Sequence, residues 1–409
     1  ALPVADEYKL PSMRWAALAL VTLAHACTSL AALAMASLAP FLLEAFALSR
    51  VQVGLLLPAI YLGGVLMALP AGWLTDRLGA GATLSLGGAV TGAMIVAAAF
   101  TSGLPSLLAY LVTAGFGFSA GNPAAGRAVL DWFPPRERGV AMGIKQTGLT
   151  LGGIAGALLL PPLAVAYGWR EALAVAGALS LLASIIVLLA YRRPARDDAP
   201  AVVTPPRLAE LGQVMRRRGV LVLFACGFLL SITQASLLAY LTLYARDAFA
   251  FSLVAAGQLL ALAQAGGTAS RLVWGVVSDH FFGGRRRPGV VATAVIGAAV
   301  YALFALGEAL PPALLVALGP IAGAGAFGWV GLYFALVAEI GGSRYAGLLT
   351  GVAVVFAWSG VLIGPPLFGL LVEVFGSYAP SWLLLAVLGV SVAVALARLE
   401  PLVQRDETF

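Results

Sequence analysis

Charge is what this sequence has least of. Asp, Glu, Lys and Arg together make up 10% of 409 residues, where a soluble domain carries about 25%. Hydrophobic residues reach 61% and the mean hydropathy is +0.98. A deficit that large, spread along the whole chain, excludes a single buried core under a solvated surface and leaves little sequence for a soluble domain. Cysteine is nearly missing as well. Cys27 and Cys226 both fall inside apolar runs, which excludes a disulfide framework and a cysteine-based metal centre. No phosphate loop, zinc spacing or nucleophile arrangement is found, so neither an enzyme nor a cofactor is expected. The first apolar run far exceeds the apolar part of a signal peptide and lacks a cleavage site, so it is expected to be a permanent first helix.

What is present is a series of apolar runs. They fall at about 15–43, 51–71, 82–102, 105–130, 139–166 and 171–191, then at about 220–245, 253–277, 289–307, 311–338, 346–371 and 379–397. Each is long enough to cross a bilayer, which needs about 20 apolar residues. The 48 Gly and 23 Pro suit membrane helices, where small residues allow close packing. Most connections are short. The stretch 192–219, rich in Pro and Arg, reads as a linker between an N-terminal six-helix half, 1–191, and a C-terminal six-helix half, 220–409. The fold class is therefore an all-α membrane protein of twelve transmembrane helices in two pseudo-symmetric bundles.

The net charge of +6 is explained by topology. With the linker in the cytoplasm, nineteen of the 24 Lys and Arg lie on that side, three (Arg50, Arg170, Arg246) lie outside and two (Lys145, Arg271) lie within spans. An excess of that kind sets orientation, placing both termini in the cytoplasm of a bacterial inner membrane. No basic surface is left over for nucleic acid. The bilayer is the expected surrounding, and a monomer is the expected state.

The halves repeat one another. Gly72-Trp73-Leu74-Thr75-Asp76 recurs as Gly275-Val276-Val277-Ser278-Asp279, 203 residues later, and Gly54, Gly63 and Gly64 recur as Gly257, Gly266 and Gly267. Further on, Gly139, Gly143, Gly152 and Gly156 recur as Gly347, Gly351, Gly360 and Gly364 at an offset of 208, which Asp131 and Glu339 share. A fixed repeat of this kind marks a duplicated architecture.

On the run Gly72-x-Leu74-x-Asp76-Arg77-x-Gly79 and its copy at Asp279, the chain resembles the major facilitator superfamily over essentially its whole length. The resemblance implies that the loop acid pairs at the cytoplasmic face and helps latch the two halves. That gives Gly72, Asp76, Arg77, Gly79, Asp279, Asp131 and Glu339 as conformational residues. The competing reading is that Asp76 and Arg77 merely form a solvated turn. The family pattern continues with basic residues where this sequence has Ala80-Gly81. Symmetry-related halves of such carriers rock about a site near the midplane, exposing it to each side in turn.

None of the 18 Asp and Glu lies deep in a span, but two cations do. Lys145, seven residues past Arg138, is about 10 Å inside the fifth span, and Arg271, eight residues before Asp279, is about 12 Å inside the eighth. A charge at such depth points to function by default, although long stems can also snorkel to the surface. Two uncompensated cations suit a small anionic substrate: guanidinium grips a carboxylate bidentately, and ammonium acts as a point charge. The stretch Arg271-Leu272-Val273-Trp274-Gly275 is similar to the eighth helix of oxalate–formate exchangers and, more loosely, of monocarboxylate transporters. That resemblance implies that Arg271 binds a substrate carboxylate. The exchangers' second cation, a lysine on helix eleven, falls at Ala353, the repeat partner of Lys145.

His25, Asn122, Gln146, Gln234, Gln264, Tyr61 and Trp358 are candidate lining residues, with interhelical packing as the alternative for each. Lacking a deep carboxylate, any coupling to a proton must use His25, Lys145 or a protonated substrate, and exchange against a counter-anion needs none of them. The sequence thus predicts a carrier of a mono- or dicarboxylate, as symporter or exchanger. An inorganic-anion carrier of the nitrate or cyanate type and a proton-driven exporter are the alternatives.

Overall fold

The computed structural model describes residues 11–134, 137–192 and 218–399. Both tails and most of the predicted linker, with Arg193, Arg196, Arg207, Arg216 and Arg217, lie outside the described residues. Among those described there are α-helices and one short 3-10 turn, and no strand. In chain order the helices are α1 (Pro11–Ala45), α2 (Arg50–Gly54), α3 (Leu56–Leu78), α4 (Ala80–Ala99), α5 (Leu104–Ser119), α6 (Gly121–Trp132), α7 (Arg138–Tyr167) and α8 (Trp169–Ala190). After the linker come α9 (Arg218–Phe249), α10 (Leu253–His280), α11 (Arg287–Phe304), α12 (Pro312–Phe327), α13 (Trp329–Phe375) and α14 (Ala379–Arg398).

These map onto the predicted spans with three interruptions. The second span is α2 with α3, the fourth is α5 with α6, and the tenth is α12 with the first part of α13. Eleven stretches among the described residues are long and apolar enough to cross a membrane. The remaining long helix, α10, has 28 residues; Gln258, Gln264 and Arg271 lower its apolar content. It is the most polar of the spans, and it carries one of the two deep cations.

One boundary differs from expectation. The tenth and eleventh spans were expected to be separated by a loop near 339–345, yet α13 stays helical from Trp329 to Phe375 over 47 residues. A straight helix of that length is about 70 Å, more than twice the hydrocarbon thickness, so it holds two spans. In the first half α6 ends at Trp132, with Phe133 extended before Pro134; the sequence there reads Pro134-Pro135, two residues without an amide donor that disfavour the α region in the residue before them. At the 208 offset those positions are Gly342 and Ser343, which keep their N–H groups.

Contacts group the chain into two compact units, Ala1–Ala34 with Leu62–Ala199, and Met35–Tyr61 with Pro200–Phe409. Each is packed through glycine seams. In the first, a Cβ at Gly63 would lie 1.9 Å from the Val112 carbonyl oxygen, and one at Gly152 would lie 2.2 Å from that of Ala26. In the second, a Cβ at Gly266 would lie 2.1 Å from the Pro320 carbonyl oxygen, and one at Gly360 would lie 2.2 Å from that of Phe228. Val112 and Pro320 are themselves 208 apart. The sequence repeat is therefore also a repeat of which backbone touches which, the close approach that small residues permit.

Candidate functional site

Lys145 sits on α7, which Gly148 and Gly152 draw tightly against α1. Its side chain is only 6% exposed and donates to Asn122 Oδ1 at 3.1 Å. An ammonium has no acceptor, so the Asn122 atom it meets must be the oxygen, which leaves the exposed Asn122 amide nitrogen its two donors. His25, on α1, is 1% exposed. Its ring lies beside Gly121, where a Cβ would come within 3.3 Å, and its Nδ1 is buried without a partner among the described residues. Three of the predicted residues thus come together in the first unit. Gln146, next to Lys145, is half-buried.

The second unit holds Arg271 on α10. Its Nε donates to the Phe327 carbonyl at 2.9 Å, and the guanidinium carbon lies 5.9 Å from the Phe327 ring centre. Tyr61 is within electrostatic reach of Arg271 and meets Trp358 edge-to-face, ring centres 5.7 Å apart. Gln264 is buried. Gln234 is half-buried, with its Oε1 unpartnered among the described residues. Trp329 and Tyr333 are buried in an apolar cluster with Phe224 and Ala353. Among the described residues neither Lys145 nor Arg271 has a carboxylate within 4 Å.

The motif acids form two charge clusters, one per unit. Arg127 lies 3.8 Å from Asp76 and 2.9 Å from Asp131, while Arg77 stacks 4.3 Å over Trp73. Gly79 starts the next helix with a φ of 84°, a left-handed conformation that favours glycine. In the second unit Arg286 pairs with Asp279 and lies 3.2 Å from Glu339. Burial alone would lower the Arg286 guanidinium, but the hydrogen bonds and charges of Asp279 and Glu339 outweigh it and raise it above its ordinary value. Each arginine therefore joins a motif acid near a helix end, Asp76 or Asp279, to one of the two acids that share the 208 offset, Asp131 or Glu339, although the two arginines come from different places. Arg127 has Ala335 at the 208 offset. Its i,i+4 spacing from Asp131 was a readable signal, whereas nothing in Arg285-Arg286-Arg287 distinguishes the middle residue.

A third polar cluster was not anticipated. Arg50 lies 2.7 Å from Asp247, Tyr378 donates to Asp247 at 2.5 Å, and the Val51 amide donates to Glu373 at 2.8 Å. Arg246 pairs with Glu44. Beside it lies a cavity of about 700 Å³, lined in part by Arg50, Asp247, Glu308 and Glu373.

Residues 21–361 match the profile of the Major Facilitator Superfamily. The chain belongs to this superfamily. Among relatives, an uncharacterized MFS-type transporter of Mycobacterium tuberculosis (strain CDC 1551 / Oshkosh) is 30% identical over 82% of this chain and 74% of its own length. The hexuronate transporter of Bacillus subtilis is 24% identical over 89% of each chain. A probable sulfoacetate transporter of Cupriavidus necator is 28% identical over 90% of this chain and 89% of its own. A bacterial homologue of the human lysosomal transporter Spinster, crystallised inward-facing and unoccupied, superposes with a TM-score of 0.76 at 20% identity over 95% of this chain and 96% of that one. The chain is thus a multi-pass membrane transporter of the major facilitator fold and not an enzyme.

Proposed function

We propose that this major facilitator protein is a secondary carrier for a small organic anion, a mono- or dicarboxylate, moved by alternating access as a symporter or exchanger. The observation that carries the reading is the pair of deep cations, Lys145 and Arg271, each held by a neutral oxygen and neither neutralised by an acid among the described residues. An uncompensated charge at that depth is costly, and an anionic substrate supplies the missing counter-charge. The groups left over are all donors: two N–H of Lys145, the amide N–H of Asn122 and the four outer N–H of Arg271. A set composed of donors favours an ionised acceptor over a sugar or a cation. Gln146, Gln234, Gln264, Tyr61 and Trp358 are assigned to substrate contacts around it, and His25 to any coupled proton. Relatives named for hexuronate and sulfoacetate, both organic anions, agree with the class. A bacterial inner-membrane location with cytoplasmic termini and a monomeric state belong to the same reading.

The test is a thermal-shift screen of the purified chain against mono- and dicarboxylates, sulfonates, nitrate and neutral sugars, followed by counterflow in liposomes. A ligand stabilises the state it binds. Carboxylates are expected to raise the melting temperature and to exchange across the membrane. Stabilisation by neutral sugars with none by any anion would overturn the assignment.

A further inference from the structure

Two spans are interrupted at equivalent places. α5 gives way to α6 at Ala120, and α12 gives way to α13 at Gly328, 208 residues later. Each interruption adjoins one deep cation. Asn122, two residues past the first, receives Lys145, and Phe327, just before the second, receives Arg271.

The second interruption shows how the cation is held. The last carbonyls of a helix lack intrahelical donors and must find others. Here Ala326 accepts from the Trp329 indole at 2.8 Å and Phe327 from Arg271 Nε at 2.9 Å, while Ala324, which already receives the Gly328 amide at 3.1 Å, also accepts from Ser270 Oγ at 3.1 Å. Ser270 and Arg271 are consecutive on α10, so that helix is fastened to the interruption at adjacent points. Glycine makes this approach feasible. A Cβ at Gly328 would lie 2.3 Å from Ser270 Oγ and 2.5 Å from the Ala324 oxygen, so any larger residue pushes α10 away from the carbonyls that hold it.

We propose that Gly328 and Ser270 are positioning residues that determine how Arg271 meets its anion. With Nε committed to Phe327, the guanidinium presents its two outer nitrogens, and a carboxylate docks end-on against that pair. The side-on fork, which uses Nε, is closed to the substrate. Fixing one of two docking modes in advance removes an ordering cost from binding. This assignment rests on Arg271 being a substrate cation, and it adds that Gly328 and Ser270 act on the substrate only through Arg271.

A double-mutant cycle separates that role from general packing, because residues acting through one partner are non-additive with it. Binding of galacturonate and of sulfoacetate to the full-length chain in detergent is measured by calorimetry. Gly328→Ala and Ser270→Ala are each expected to raise Kd by about tenfold when Arg271 is present, and by less than about twofold in an Arg271→Lys background. Circular dichroism and monodispersity check the fold. Should Gly328→Ala fail to fold, Ser270→Ala, which only deletes a hydroxyl, decides the comparison. Equal losses in both backgrounds, or unchanged binding in Ser270→Ala and in folded Gly328→Ala, overturn the positioning role and leave the anion assignment standing. No binding of either probe by the unmodified chain overturns both.

Discussion

Lys145 and Arg271 are both cations, but the structure gives them different work. Arg271 is fixed by a backbone carbonyl, whereas Lys145 leans on an exposed amide that a ligand can displace. Arg271→Lys keeps the charge but loses both the planar fork and the Nε donor, so anion affinity is expected to fall by about 2 kcal/mol, roughly thirtyfold. Lys145→Arg is expected to retain partial transport, and Lys145→Ala to weaken binding by about 2–5 kcal/mol, the scale for unpairing a desolvated charge. Calorimetry on folded variants checks these losses, and wild-type binding by both Arg271→Lys and Lys145→Ala would remove the chemical basis for anion recognition. His25 is a separate matter. Its Nδ1 is buried without a partner among the described residues, and an imidazole nitrogen without a proton is an acceptor that can take one. If the carrier couples to protons, His25→Gln is expected to abolish substrate-driven proton uptake in liposomes. Unchanged uptake takes His25 out of the mechanism. Both cations were legible in the sequence because charge is conspicuous in an apolar run. What holds them was not: Asn122 was named only as one of several candidate lining residues, and a backbone carbonyl leaves no trace in sequence.

At the level of helices, the spans were legible from hydropathy and the pairing of seams from the repeat, because glycine spacing survives duplication better than side chains do. The interruption at Ala120 has a mark in the sequence, Pro123, which has no amide to donate to the Ser119 carbonyl. The one at Gly328 was not legible: no proline follows it closely, and both residues stay near right-handed helical angles. The loop expected between the tenth and eleventh spans failed for the opposite reason: the prolines that break the first copy have been replaced in the second. The glycine seam offers a direct test of the packing. Gly152→Val places branched carbon where a Cβ already lies 2.2 Å from the Ala26 carbonyl, so α7 must move away from α1 and carry Lys145 with it. Overpacking of this kind typically costs about 1–3 kcal/mol. The expected result is a lowered melting temperature together with weakened anion binding, while Gly72→Ala, where a Cβ would meet nothing within 4 Å, is expected to leave stability unchanged. Equal tolerance at both positions would contradict the seam.

For the whole molecule, the question is which contacts must break during a transport cycle. Arg50 and Asp247 stand about 200 residues apart, one from each sequence half, and so do Glu44 and Arg246. Tyr240 reinforces the connection by donating to the Arg50 carbonyl at 2.6 Å. If the sequence halves move against each other, as in other carriers built from repeats, these contacts belong to one state and are lost in the other. Removing them shifts the equilibrium by no more than their differential worth. The Arg50 and Asp247 side chains are 26% and 27% exposed, so the pair is worth about 1 kcal/mol, roughly a fivefold change in population. Asp247→Asn is the appropriate change, because it removes the charge and keeps the shape. Val53, at the same end and only 2% exposed, supplies the reporter when replaced by Cys in a chain with Cys27→Ser and Cys226→Ala. An impermeant maleimide is expected to label Val53→Cys about fivefold faster when Asp247→Asn is also present, and a saturating carboxylate is expected to change the labelling rate in both. Identical rates with and without Asp247→Asn would mean that the cluster is static architecture and that the cycle opens elsewhere.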